Sequence, residues 1–297
     1  MTVATRGGRV DAIDALPGAL VDAVRGALAD LDPRALVRAA LPPLPPKRAR
    51  VRVVAAGKAA LAMAAGAFDA WGDRVDDALV VTSDGVVGPS TPRTTVLRAA
   101  HPLPDGRSEA AATEALARAA ALGPTDLLLA LVSGGASSLL ALAPEGSTLA
   151  GKRAVVAALL ASGASIREVN CVRRHASRIK GGRLALAAAS ARTLTLALSD
   201  VIGGAPHDIG SGPSVPDPTT VDDARAVLAR FAPGAPMMRT RAKIIAAPED
   251  LAARVAARLV AAGYAASVAA PDELDADATA CARVHVARRL APGEAIV

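Results

Sequence analysis

LLLALVSGGASSLLAL, Leu127 to Leu142, runs an apolar segment into a Gly-Gly turn and out into a second apolar segment. Both flanks favour burial, so the turn between them exposes main chain at the edge of a core. The pattern predicts a buried strand over 126–133, ending at a sheet edge and leading into a helix. Two glycines permit positive φ and let backbone N–H groups converge on one point, and a helix start adds its dipole. These are the properties of an anion cradle, and equally those of a structural β–α turn. The stretch is neither GxGxxG nor GxxxxGK[ST], so it carries neither a dinucleotide fingerprint nor a Walker A loop.

Working outward from it, the same alternation recurs. Short apolar strands are predicted at 51–56, 77–83, 94–100 and 193–200, with helices at 57–71 and 108–122 and a helical region over 148–189. Ser108 with Glu109 and Glu114 suits the start of the second helix. Residues 11–40 have helical spacing until LPPLPPKRAR, 41–50, stops any helix, because each proline removes a donor and fixes φ. Further on come a helix at 222–231, a break at 233–236, a strand at 243–247, a helix at 249–262 and a strand at 265–270. Strands alternating with helices predict an α/β fold: a Rossmann-like, mostly parallel sheet with helices on both faces.

Composition narrows the class. Of 297 residues, 52% are hydrophobic but only 1% aromatic, so the core must be built from Ala, Val, Leu and Ile. Net charge is +6, yet the arginines are scattered through Ala-rich helices with almost no aromatics for base stacking, which argues against a nucleic-acid partner. Cys171 and Cys281 lie far apart with no CxxC, so neither a zinc site nor a disulfide framework is indicated. The N-terminal stretch carries charges where a signal peptide is apolar, and apolar runs break before about 18 residues. The expectation is a cytoplasmic protein with no membrane partner.

In parallel α/β sheets ligands sit where strands end and helices begin. That rule selects four turns: Gly57-Lys58, His101 to Asp105, Ser133 to Ser138, and Asp200 to Gly212. Lys58 opposes the helix dipole at its position, which favours a cation placed for a phosphoryl group over an ordinary surface lysine. Two prolines fix the His101–Asp105 loop, which could aim both side chains at one point or be a rigid turn. VNCVRRHASRIKGGRLA, 169–185, concentrates Asn170, Arg173, Arg174, His175, Arg178, Lys180 and Arg183. Arg173 and Lys180 share a face if that helix is continuous, and clustered cations suit an anionic ligand. Asp200, at the end of a buried strand, could hold Mg²⁺ on a nucleotide or accept a hydroxyl proton. The glycine- and proline-fixed loop 208–220 lies beside it in sequence.

In that order, GKAA (57–60), HPLPDG (101–106), LVSGGASSLL (131–140), VNCVRRHASRIKGGRLA and LSDVIGG (198–204) with GSGPSVPDPTT (210–220) resemble the glycerate 2-kinases. Proteins of that family join an N-terminal DUF4147-type domain to a C-terminal MOFRL domain, and some carry an older hydroxypyruvate reductase label. The resemblance implies transfer of the ATP γ-phosphoryl group to D-glycerate, giving 2-phosphoglycerate, with ATP and Mg²⁺ bound and a homodimer as one assembly. It implies that Lys58 is an active-site lysine and that Ser133, Gly134, Gly135, Ala136, Ser137 and Ser138 form the phosphate loop. It also makes Asp200 the acidic strand end with Ser211 and Gly212, and Arg173 and Lys180 catalytic cations. Gly57, His101, Asn170 and His175 would meet substrate. Two departures accompany it. Gly203-Gly204-Ala205 stands where the family has acidic residues, with Asp208 as a replacement. The family pattern continues beyond APGEAIV, 291–297. The expected domains are therefore 1–235 and an incomplete MOFRL-type start at 236–297, with an active site incomplete in this chain. The alternatives are an NAD(P)H-dependent hydroxypyruvate reductase, disfavoured by the missing GxGxxG, and a nucleotide-binding protein that has lost transfer.

Overall fold

The computed structural model describes residues 18–44, 49–161, 164–225, 240–246, 248–262, 265–268 and 294–296. Two units separate: residues 33–245, and residues 1–32 with 246–297. The expected boundary at 235/236 lies outside the described residues.

In chain order the elements are α1 (Gly18–Asp30), α2 (Pro33–Ala40), β1 (Val51–Ala56), α3 (Ala60–Trp71), β2 (Val75–Ser83), β3 (Thr94–Ala99) and α4 (Gly106–Ala120). They continue with β4 (Leu127–Val132), α5 (Ala136–Leu139), α6 (Leu149–Ala161), α7 (Ile166–His175), α8 (Arg183–Ala187), β5 (Arg192–Leu198) and α9 (Val221–Arg225). Last come β6 (Thr240–Ala246), α10 (Pro248–Ala261), β7 (Ala265–Ser267) and β8 (Glu294–Ile296).

The larger unit is built on one sheet of order β3-β2-β1-β4-β5-β6. From β3 to β5 every pairing is parallel, with Val51 opposite Leu127 and Leu127 opposite Arg192. Because side chains alternate across a strand, each face has its own core. Val54, Ala56, Leu79, Leu128 and Val132 face the alanines of α4 and Leu184 of α8. Val53, Ala55, Val80, Leu129 and Leu131 face Leu61, Met63, Ala64 and Trp71 of α3. Burying each such Val or Leu contributes about 1.5–3 kcal/mol, and alanine on the helices lets them lie close to the sheet.

Helix boundaries differ from expectation wherever a cap or a proline intervenes. The helical spacing at 11–40 resolves, from residue 18 onward, into α1 and α2, divided at Leu31-Asp32 ahead of Pro33; residues 11–17 lie outside the described residues. The helix expected from Ser108 starts at Gly106, because Asp105 is its N-cap: its carboxylate accepts from Arg107 N (3.1 Å) and Ser108 N (3.3 Å). The helical region expected over 148–189 consists of three helices. Ser165 starts a new one at α7, with Ser165 Oγ accepting from Glu168 N at 3.3 Å and Glu168 accepting from Ser165 N at 2.7 Å.

In the smaller unit α1 packs on α10 through Ala23, Ala27, Val255 and Leu259. Asp30 accepts from the Arg258 guanidinium at 2.5 Å, and β7 pairs with β8 in parallel. No helix among the described residues is long and apolar enough to cross a membrane.

Candidate active site

The strand order reverses between β1 and β4, and the turns after those two strands are tied together there. Ser133 N donates to Ala56 O (2.9 Å), Lys58 N to Gly134 O (2.9 Å) and Ala59 N to Ser133 Oγ (3.2 Å). Gly57 has φ 128°, and a Cβ on it would lie 2.6 Å from the Ser133 carbonyl oxygen. Only glycine lets the two backbones meet this closely. This is the crevice at which open α/β sheets take ligands.

Beyond Val132 the chain turns through Gly134 and Gly135 (φ 89°) into α5, a single turn of helix. The turn thus has little helix dipole behind it, less than the sequence suggests. Ser133 and Ser138 serve the turn itself, Ser138 Oγ donating to Gly135 O at 3.1 Å, and Ala136 is buried. The bare α-carbons of the two glycines admit side chains from other loops. A Cβ on Gly135 would meet the His101 ring at 3.1 Å and Lys58 Cγ at 3.5 Å. One on Gly134 would meet the Asp200 carboxyl carbon at 2.7 Å. Lys58, His101 and Asp200, from three turns, therefore converge on Gly134-Gly135.

Lys58 and Asp200 are exposed, and among the described residues neither side chain has a hydrogen-bonded or ion-paired partner. Burial, and then the Lys58 charge, push the His101 pKa below the ordinary histidine value, with Asp200 opposing. The imidazole is accordingly neutral at pH 7.

A cleft of about 460 Å³ opens beside this point. Its polar floor includes His101, Ser137, Asn170, Arg173, Lys180, Asp200 and Lys152, and its apolar wall includes Leu103, Val156, Leu160 and Ile166. A hydrogen-bonded relay joins the phosphate-loop candidate to α7: Ser137 Oγ to Ser211 Oγ (3.0 Å), Ser211 Oγ to Asn170 Oδ1 (3.2 Å), Arg173 to Asn170 Oδ1 (3.4 Å). Ser211 is fully buried and holds φ 61° despite its side chain. The loop carrying it is zipped to the second Gly-Gly, with Gly181 N donating to Ser211 O (3.1 Å) and Gly182 N to Gly212 O (2.7 Å).

Some expectations fail on geometry. Asp105 does not join His101; it caps α4 and pairs with Arg107, which also grips Asp84 through two bonds of 2.9 Å. Arg173 and Lys180 are not on one helical face, since α7 ends at His175. Lys180 reaches the cleft by another route: buried to 1% exposure, its ammonium donates to Ser137 O (2.7 Å), Leu140 O (3.0 Å) and Gly210 O (3.4 Å). His175 lies away from the cleft lining, its Nε2 3.1 Å from Thr219 Oγ1 and 3.4 Å from Asp217 Oδ2. Asp208 lines the cleft but is engaged by Arg174 at 3.6 Å, so it is no free replacement for the missing acids after Asp200. Arg174 itself is 3% exposed and pairs with Asp217 at 2.8 Å. No cluster of three metal-ligating side chains exists among the described residues.

Sequence reasoning missed Lys152 altogether, because only the packing of α6 against α7 buries it and turns it to the cleft. The capping box Ser165–Glu168, which starts α7 as a separate helix, was a legible signal.

Residues 19–244 match the family described as Domain of unknown function (DUF4147). A protein of Agrobacterium vitis whose provisional name is hydroxypyruvate reductase is 51% identical over 206 residues, covering 69% of this chain and 46% of that protein. D-glycerate 2-kinase of Thermotoga maritima is 37% identical over 211 residues, 71% of this chain and 50% of the kinase. The crystal structure of glycerate kinase from Thermotoga maritima superposes with a TM-score of 0.74 at 31% identity, covering 83% of this chain and 63% of that one. The chain spans about half the length of the curated relatives it matches. The matched span contains the whole β1–β4 crevice and every residue that converges on it, and on that match the chain belongs to the DUF4147 family.

Proposed function

We propose that this chain carries the nucleotide and acceptor sites of an ATP-dependent glycerate 2-kinase, which transfers the γ-phosphoryl group to D-glycerate and releases ADP. The observation that carries the reading is the convergence of an unpaired lysine, an unpaired carboxylate and a bare glycine turn at the sheet's reversal point. Phosphoryl transfer needs positioning and charge neutralisation more than a covalent nucleophile, and this site offers those.

In this reading the amides of Gly134, Gly135 and Ser137 hold phosphate oxygens, those of Ala136 and Ser138 being spent on Ser133 O and Gly135 O, and Lys58 neutralises charge on the transferred group. Arg173 and Asn170 meet an anionic end of the acceptor or nucleotide. Asp200, with no internal bond to satisfy, is, among the described residues of the cleft, the carboxylate suited to Mg²⁺, which commonly takes one or two carboxylates plus phosphate oxygens and water. When bound, the ion would offset charge on the phosphates. His101, neutral beside Lys58, can hydrogen-bond the acceptor hydroxyl. Ser211 and Gly212 act behind the loop rather than on the ligand.

Hydroxypyruvate reduction is the competing activity, carried by the name of the Agrobacterium vitis relative. The turn after β1 reads Ala-Gly-Lys-Ala and lacks the three glycines that admit a dinucleotide pyrophosphate. A coupled assay of ADP release from ATP and D-glycerate, with and without Mg²⁺, is run beside NADH oxidation by hydroxypyruvate. Mg²⁺-dependent ADP release supports the kinase; turnover confined to NADH overturns it.

A further inference from the structure

Three cations line one end of the cleft with no carboxylate paired to them among the described residues: Lys152 on α6, Arg173 on α7 and Lys180 between α7 and α8. Lys152 is 8% exposed, and its ammonium donates to the main-chain carbonyls of Ala176 and, at 3.5 Å, Arg173. Lys180 bonds three carbonyls, and Arg173 bonds the neutral amide of Asn170. Carbonyls satisfy donors but bring no counter-charge, and buried charge without one is costly. Elsewhere the fold avoids this: buried Arg174 meets both Asp208 and Asp217.

We propose that Lys152, with Arg173 and Asn170, forms an anion subsite of the cleft for a carboxylate or phosphate group. The inference deepens the kinase reading and rests on it for which natural anion arrives.

The electrostatics agree. Burial first, then the charges of Arg173 and Arg183, push Lys152 down to about 7. Burial, then Lys152 and Arg173, hold Lys180 well below the ordinary lysine value. Facing Lys152 are Arg173 from α7 and Arg183 from α8, with Lys180 before α8; Arg153 on its own helix lines the cleft too. Asp200 and Asp208 line the same cleft from the loop after β5. The C-terminal carbonyls of α7 favour the protonated amine, but not enough to offset its burial. An arriving anion supplies the missing charge and raises the pKa. At about pH 8 the free site is then largely neutral and binding takes up close to one proton, whereas at about pH 6 the amine is already charged and uptake vanishes. Affinity falls as pH rises above about 7, by at most about tenfold per unit.

The test is calorimetric titration of the full chain in two buffers of different protonation enthalpy, with inorganic phosphate, D-glycerate and ADP as separate titrants. Phosphate is expected to bind with proton uptake at pH 8 and none at pH 6. Lys152→Arg, whose guanidinium stays charged, should bind without uptake; Lys152→Met should weaken binding about 10–100-fold. Uptake that persists in Lys152→Arg points to another group such as His101 and overturns the subsite. So does anion binding at pH 8 without uptake, or no anion binding at all. Phosphate bound with Lys152-dependent uptake, beside no binding of D-glycerate or ADP, keeps the subsite and removes the kinase reading. Turnover of D-glycerate with no uptake at Lys152 does the reverse.

Discussion

The two edges of one parallel sheet use arginine and lysine in opposite ways. At the edge where β1, β2 and β4 begin, cations are matched to acids. Arg50 grips Asp126 at 2.7 Å, Arg52 and Arg118 share Asp77 at 2.7 and 3.0 Å, and Arg93 meets Asp73 at 3.0 Å. At the edge where the same strands end, Lys58, Lys152, Arg173 and Lys180 stand near the cleft without an acid partner among the described residues. Arg107, held by Asp84 and Asp105 on the β2–β3 side, and Arg174, held by Asp208 and Asp217, are exceptions there. A matched charge is complete in the folded chain and acts through stability. An unmatched one is complete only with a ligand and acts through binding. Substitutions at the two edges should therefore separate stability from turnover.

Lys58→Ala gives the largest effect. Its side chain is exposed and packs only through Cγ, beside the Gly135 α-carbon, so melting temperature should stay constant. Kinase turnover should fall about 10²–10³-fold, the usual loss when a preorganised charge is removed from a transition state. Coupled ADP release beside a thermal melt measures both. A melt that collapses with the activity erases the distinction between the edges.

Gly134→Ala sharpens it. The new Cβ would press on the Asp200 carboxylate, the far end of a mobile side chain, while the Gly134 backbone has no positive φ to protect. The fold should accept the change within about 0.5 kcal/mol, as at sites where a neighbour can give way. Turnover should fall about 10–100-fold through displacement of Asp200. Equal turnover in the variant would show that the Asp200 position is immaterial to the chemistry.

How much of this could be read from the chain depends on the range of the cause. Val51–Ala56 and Leu127–Val132 were legible because an apolar run of strand length, closed by glycine, is a local signal. So were Gly57-Lys58 and Ser133 to Ser138, whose turn chemistry lies within a few residues. The order β3-β2-β1-β4-β5-β6 was not, since no local pattern states which strands adjoin. Asp105 looked like a partner for His101, but capping competes for a carboxylate immediately before a helix, and capping won. Lys152 carried no signal of its own: its environment is set by residues 21 to 24 positions away, at the end of α7. Arg174 and Asp217, 43 positions apart, were equally invisible as a pair.

At the opposite edge Asp126→Asn should move stability and leave KM alone. Asp126 is 5% exposed and accepts from Gly123 N at 2.8 Å, Arg50 N at 3.0 Å and the Arg50 guanidinium at 2.7 Å. Burial raises its pKa, but the Gly123 and Arg50 bonds outweigh burial and lower it overall. A depressed folded pKa means that its stabilisation is present above the unfolded value near 4 and lost as pH falls through the folded one. The expected loss at pH 7 is about 1–3 kcal/mol by urea denaturation, shrinking as the pH is lowered through that window. An unchanged midpoint would show that the matched edge contributes nothing.

The smallest effect belongs to Glu114→Gln, on the same edge. Glu114 accepts from Arg118 Nε at 2.7 Å, one helical turn apart, with its side chain 44% exposed. Solvent screens such a pair, and Arg118 keeps Asp77 at 3.0 Å, so the guanidinium stays matched after the change. About 0.3–0.5 kcal/mol should be lost, less at high salt, with kinetics unaltered. A loss several times larger, insensitive to salt, would mean that Arg52, Asp77, Arg118 and Glu114 act as one cooperative network. The start of the sheet would then resemble its end, where single charges matter because nothing beside them compensates.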